Sequence, residues 1–140
     1  MAILRDDPAT MEPGVEELLR WVSPIKNMAR TVTRPVELHG QTLRAGDQVI
    51  LMYPAANRDP AVFDEPDRFD VRRDPNPHLA FGFGPHFCMG ASLARLELNV
   101  MFSELLRRLP DLHLAGEPFP RRSSNFISGP EAMPVAFTPV

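Results

Sequence analysis

Cys88 is the single cysteine in a chain of 140 residues, and it stands in the run Phe81-Gly82-Phe83-Gly84-Pro85-His86-Phe87-Cys88-Met89-Gly90, directly ahead of a long segment with helical periodicity. One thiol excludes an internal disulfide and any all-cysteine zinc or iron–sulfur site. What it can do is bind a metal. The unpaired N–H groups and the dipole of a helix start favour negative charge, and the thiolate is the metal-binding form of cysteine.

The residues around it suit such a role. Gly82 and Gly84 can take backbone angles closed to other residues and let a flat ligand approach the main chain. Pro85 stiffens the turn, and Phe81 and Phe87 offer apolar shielding on either side of the sulfur. Gly90 lets the next helix start close to the ligand plane, and His86 projects from the same loop toward an anionic ligand edge. A thiolate on iron in a dry pocket needs apolar cover and N–H donors. The whole set therefore reads as a loop carrying the axial ligand of a haem iron. A Gly-x-Gly pair alone would favour the alternative, a glycine-rich turn around an inert buried cysteine.

Glu17-Leu18-Leu19-Arg20 puts a carboxylate and a guanidinium three apart on one helix face. On a surface helix such a pair contributes a few tenths of a kcal/mol. Arg68, in Pro66-Asp67-Arg68-Phe69, offers a second guanidinium. A carboxylate flanked by both would be a buried latch, because the planar fork of Arg binds carboxylates bidentately.

The elements that must position these groups follow from periodicity and punctuation. Residues 1–11 read as a loop or a frayed helical end. Pro13 suits the first turn of a helix bearing Val15, Leu18, Leu19 and Val22, and Pro24 ends it and pushes Ser23 out of the α region. Short strands are expected at 29–32, 36–38 and 48–53, with turns at Gly40 and Ala45-Gly46-Asp47. Residues 54–80, with Pro54, Pro60, Pro66, Pro75 and Pro77, have almost no period and read as a long functional loop. A helix over 91–109 carries an apolar face of Leu98, Val100, Met101, Phe102, Leu105, Leu106 and Leu109. Arg95, Glu97, Glu104, Arg107 and Arg108 fall mostly on its other side, and Pro110 stops it. Two more strands are expected at 125–128 and 135–138, joined by a turn at Gly129-Pro130.

Composition bounds the class. The length allows one domain with a real core, and the apolar fraction of 44% is ordinary for a soluble protein. A net charge of −3 gives no basic field for nucleic acid. No apolar run approaches the roughly 20 residues that span a bilayer. The start, Met1 to Asp7, turns acidic too soon for a signal peptide, so a cytoplasmic protein is expected. The 16 prolines occur among Phe, Val and Leu, which points to ordered irregular backbone and not to disorder.

The Glu17–Arg20 pair, the 66–69 tetrad and the loop at 81–90, in this order, resemble the C-terminal part of a cytochrome P-450, over nearly the whole chain from about Leu4 to Val140. The resemblance implies an α+β segment with two main helices, short strands, a long ordered meander and a haem-binding loop. It implies that Cys88 is the proximal ligand of haem b (iron protoporphyrin IX), with Phe81, Gly82, Gly84 and Gly90 against the cofactor and His86 and Arg30 on its propionates. Glu17, Arg20 and Arg68 would form the triad that holds the meander. Ile25, Asn27 and Met28, with Phe126 and Ile127, would line a small apolar substrate.

A finer likeness, carried by 24–28, 78–84 and 125–129, is to actinobacterial enzymes that hydroxylate the side-chain end of cholesterol-like steroids. Electrons would come from a ferredoxin and its reductase, with NAD(P)H only an indirect donor. Arg72, Arg73, Arg95, Arg107 and Arg108 could attract that acidic partner. A complete family member is roughly three times this length, and the helix whose acid–alcohol pair delivers protons to oxygen is not expected within 1–140. The chain alone would then be a catalytically inactive fragment or an interaction module that binds haem weakly or not at all, self-associating through exposed core.

Overall fold

The computed structural model describes residues 2–116 and 119–138. The expected end of the resemblance at Val140 lies outside the described residues, as does Met1. The chain opens with a short helix α1 (Ala2–Asp6) and a 3-10 turn (Pro8–Thr10), where a loop or frayed end was expected. Helix α2 (Met11–Val22) follows, with Pro13 in its first turn. Ser23 ends it in the left-handed region at φ 44°, because Pro24 bars the α conformation at the residue before it.

Three small antiparallel pairs follow from alternation and tight turns. Strand β1 (Asn27–Thr31) pairs with β4 (Gln48–Met52), placing Met28 opposite Leu51 and Arg30 opposite Val49. Between them, β2 (Val36–Leu38) and β3 (Gln41–Leu43) form a hairpin. Its loop is His39-Gly40, both at positive φ (47° and 74°), which matches the right-handed twist of the strands. Helix α3 (Tyr53–Ala56) opens the irregular stretch, which runs through turns to a 3-10 turn at Gly84–His86. Helix α4 (Ala91–Arg108) follows, and β5 (His113–Leu114) pairs with β6 (Val135–Ala136).

The tail departs from expectation. Residues 125–128 form no strand; Ile127 makes only an isolated bridge to Ile25. The amides of Phe126 and Ile127 both donate to Ser124 Oγ, which turns the backbone and withholds those donors from a ladder. Gly129-Pro130 does not join the two tail segments as a hairpin either. Pro130 bridges Arg121, and Val135–Ala136 finds its partner at His113–Leu114.

The core lies where α2, α4 and the irregular stretch meet. Val15, Leu19 and Ala80 are buried together, with Phe81, Leu98 and Phe102 packed against them. Leu4, Val71 and Leu106 form a second cluster. Gly14 allows close packing there, since a Cβ would lie 2.5 Å from Leu4 Cδ2. On α4, Leu98, Phe102 and Leu106 recur every four residues on the inner face. Val100 and Met101, expected on that face, are more than half exposed, and so are Leu93 and Leu96. The helix is apolar on both sides. No described helix is long and apolar enough to cross a membrane.

Leu106 is 5% exposed at the junction of α1, α4 and Val71. Leu106→Ala is expected to lower unfolding stability by about 2–3 kcal/mol, as measured by urea titration.

Candidate functional site

Helix α2 delivers the Glu17–Arg20 pair to the interior, where both side chains are fully buried. Arg20 Nε donates to Glu17 Oε2 at 2.7 Å and Nη2 to Oε1 at 2.8 Å, a bidentate fork. The remaining donors satisfy carbonyls of the irregular stretch: Nη1 those of Asn57 and Pro66, both at 2.8 Å, and Nη2 that of Arg68 at 3.1 Å. Glu17 also accepts the Asp70 amide at 2.9 Å and Asn76 Nδ2 at 3.1 Å.

The second guanidinium of this latch is not that of Arg68. The turn from Glu65 closes with the Arg68 amide on the Glu65 carbonyl, so the Arg68 side chain lies outside over Glu65, at 2.7 Å and 61% exposed. Only its backbone carbonyl faces Arg20. Arg73 takes the place instead, its Nε 3.2 Å from Glu17 Oε2, off-angle for a hydrogen bond but close in charge. Its other nitrogens donate to the carbonyls of Asp64, Glu65 and Arg68. Burial alone would raise the Glu17 carboxyl. The Arg20 hydrogen bonds, the Asp70 amide and the charges of Arg20 and Arg73 outweigh that and hold it below its ordinary value.

Asn57 carries the latch to the loop, and nothing in the sequence pattern singled it out. It is fully buried; Nδ2 donates to Ser23 Oγ at 2.8 Å and Oδ1 accepts the Leu79 amide at 2.7 Å. The loop starts two residues further on. Gly82 and Gly84 have φ of 74° and 71°, and a Cβ at Gly82 would sit 3.6 Å from the Tyr53 hydroxyl. The Cys88 amide donates to the Phe81 carbonyl at 2.9 Å, which closes the loop beneath the sulfur side chain. Cys88 is exposed. Gly90 has φ −87°, and a Cβ there would stand 4.0 Å from Cys88 Sγ. Its value is an open surface beside the sulfur and not an unusual backbone angle. Phe81 packs into the core and meets Phe87 edge-on at 6.4 Å. Phe87 itself is half exposed, so the cover expected on both sides of the sulfur is built on one side among the described residues.

Cys88 opens into a cavity of about 470 Å³ whose wall includes Phe81, Gly82, His86 and Arg30. Ile25 and Met28 line it, together with Leu19, Tyr53 and Ala80. Met28 and Arg30 reach the same wall because they are two apart on β1. Asn27 lies on the opposite face and donates to the Asn125 carbonyl at 2.7 Å. Phe126 and Ile127 are likewise outside the cavity wall, held by the bridge to Ile25. Arg30 donates only to the Ala29 carbonyl among the described residues.

The arginines expected to form a cationic patch all face carboxylates. Arg73 is buried on Glu17, Arg95 pairs with Glu16 at 2.7 Å, Arg72 with Asp7 at 3.3 Å, and Arg107 and Arg108 share Glu104 at 2.7 Å. Glu104 serves both Arg107 and Arg108, and Glu17 serves Arg20 as well as Arg73, so the positive field is reduced and not cancelled.

Arg73→Ala is expected to destabilise the fold by about 3 kcal/mol, as for a broken buried pair, and Arg68→Ala by less than about 1 kcal/mol. The Glu17 contribution is complete above pH 5 or so and is lost as pH falls below the ordinary value of 4.5 and through the lowered native one. Acid titration of stability should therefore be shallower in Glu17→Gln.

Known proteins share this arrangement. The sequence profile of the family described as Cytochrome P450, written here P-450, matches residues 11–128. The chain is 58% identical over 129 residues to the steroid C26-monooxygenase of Mycolicibacterium smegmatis, covering 91% of this chain and 32% of that protein. It is 53% identical over 139 residues to the steroid C26-monooxygenase of Mycobacterium tuberculosis, covering 98% and 37%. Among solved structures, P-450 BioI in complex with an acyl carrier protein ligated to hexadec-9Z-enoic acid superposes with a TM-score of 0.93 at 45% identity, over 96% of this chain and 35% of that one. The chain thus spans about a third of the length of the curated relatives it matches. A profile match over most of its length, on the same residues that build the latch and the cysteine loop, means that this chain belongs to the cytochrome P-450 family.

Proposed function

We propose that the chain is the haem-ligating part of a monooxygenase that hydroxylates an apolar, lipid-like substrate, with Cys88 as the iron ligand. The observation that carries the reading is the cavity itself, which brings an exposed thiol, two potential cations and an apolar wall onto one surface. The donor set fits haem b: Cys88 for the iron, Arg30 and His86 for the propionates, and Leu19, Met28, Ala80 and Phe81 for the apolar plane. The chemistry such a group supplies is cleavage of the O–O bond, favoured by electron density from a thiolate ligand.

The residues of this chain bind and orient. The loop holds the sulfur outward through the Cys88–Phe81 backbone hydrogen bond. Ile25 and Met28 present apolar surface and exclude water from the cavity edge. In the net reaction one atom of O2 enters a substrate C–H bond, and the other takes up two electrons and two protons and leaves as water. The electrons come from a ferredoxin and its reductase, with NAD(P)H behind them, in the cytoplasm. The apolar wall, together with relatives named steroid C26-monooxygenase, supports a steroid of the cholesterol or cholestenone type as substrate.

One observation favours a second reading, an interaction module that pairs with its own copy. Leu93, Leu96, Val100 and Met101 are all more than half exposed and recur on one face of α4, and an exposed apolar stripe of this kind favours association. Light scattering on the purified chain decides it: a clean monomer removes this reading.

The test of the first reading is haem uptake followed by the reduced carbon monoxide difference spectrum. The band of thiolate-ligated haem is expected in the wild-type chain and absent in Cys88→Ala. The same band in both would overturn the assignment.

A further inference from the structure

Phe81 is gripped by a polar cluster that the latch and the cavity do not explain. Glu16 Oε1 accepts Arg95 Nε at 2.7 Å, and Glu16 Oε2 accepts Arg95 Nη2 at 2.8 Å. His78 Nε2 lies 3.0 Å from Glu16 Oε2, and its side chain is 2% exposed. Its other nitrogen, Nδ1, accepts the Ala80 amide at 3.2 Å. The neutral ring must therefore carry its proton on Nε2 and donate it to Glu16. The Arg95 guanidinium stands over the Phe81 ring at 4.7 Å, and the His78 ring lies 6.2 Å from it. One carboxylate on α2 thus organises a cation and an imidazole around the aromatic ring at the start of the cysteine loop.

Burial lowers the His78 pKa more than Glu16 raises it, which keeps the ring neutral. Burial works against ionised Glu16, and the hydrogen bonds and charges of Arg95 and His78 overcome it, so the carboxyl lies below its ordinary value. Both protonation states agree with the donor directions of the geometry.

We propose that Glu16 is a positioning residue for the cysteine loop, fixing the Phe81 ring beside Cys88 through Arg95 and His78. An exposed ion pair contributes little. This one is partly buried and held bidentately, and its cation rests on an aromatic face. Phe81 in turn accepts the Cys88 amide and packs on Val15 and Leu19, so a displaced ring moves the segment that carries the sulfur. The consequence for bound iron rests on the reading of Cys88 as its ligand; the packing itself does not.

The test uses the only thiol of the chain. Iodoacetamide alkylation of Cys88 is followed under native conditions, below the thermal midpoint of each variant, in wild type, Glu16→Ala, Arg95→Ala and Arg95→Lys. Glu104→Gln, which breaks an exposed ion pair elsewhere on α4, is the control. Glu16→Ala and Arg95→Ala are expected to raise the alkylation rate about threefold or more, with Arg95→Lys restoring part of the difference through its retained cation. A purely structural role would lower thermal midpoints and leave the native rate alone. Rates within about 1.5-fold of wild type in all variants overturn the proposal, and if Arg95→Ala does not fold, an unchanged rate in Arg95→Lys does so. Haem-loaded protein separates the two claims. Unchanged rates with a thiolate band lost in Cys88→Ala remove only the positioning role. Raised rates with that band retained in Cys88→Ala remove only the ligand assignment.

Discussion

Glu17 and Arg20 lie side by side in the interior with no exposure to water, and much of the surrounding chain is arranged to satisfy them. Charges this deep are tolerated only when every donor and lone pair finds a partner. The partners are backbone groups of the stretch after α3: the carbonyls of Asn57, Pro66 and Arg68 and the amide of Asp70. That stretch has no strand ladder and no long helix to define its course. Its shape is set by having to complete one buried ion pair.

From there the constraint passes to the site through a small number of contacts. Asn57 links the end of α2 to the Leu79 amide, and Ala80 enters the core beside Val15 and Leu19. The loop then turns at two glycines of positive φ and returns so that the Cys88 amide meets the Phe81 carbonyl. The sulfur faces outward into a cavity walled partly by β1, whose alternate residues Met28 and Arg30 share that face. The scaffold is hydrogen-bonded where the chain is polar and buried, and open where it is apolar and faces the cavity.

Much of this was legible because it depends on residue type and near neighbours. The glycines at 82 and 84, the end of α2 before Pro24, the His39-Gly40 region as a turn and the pairing of Glu17 with Arg20 are decided over a few positions. The specific order of pair, tetrad and loop carried the family. What was not legible required distances between remote segments. Arg68 and Arg73 are near in sequence and alike in chemistry. The turn at Glu65 sends one outward and lets the other reach Glu17. Arg95 read as a surface charge on α4, yet Glu16 on another helix draws it over Phe81. The segment 125–128 had the composition of a strand, and Ser124 Oγ captured two of its amides.

The sequence by itself determined the chemical inventory and its local geometry: one thiol in a glycine-punctuated loop, a carboxylate and guanidinium on one helix face, and a proline-rich stretch with almost no periodicity. Those properties follow from side-chain chemistry and from φ/ψ limits within a few residues. Only the tertiary structure decided which arginine completes the latch, which residues of β1 reach the cavity while Phe126 and Ile127 stay outside it, and that Asn57 and Glu16 belong to the machinery of the loop. Each of those outcomes depends on how two elements far apart in the chain pack against each other. A hydrogen bond or ion pair forms only when donor and acceptor meet within about 3 Å, a condition no local pattern encodes.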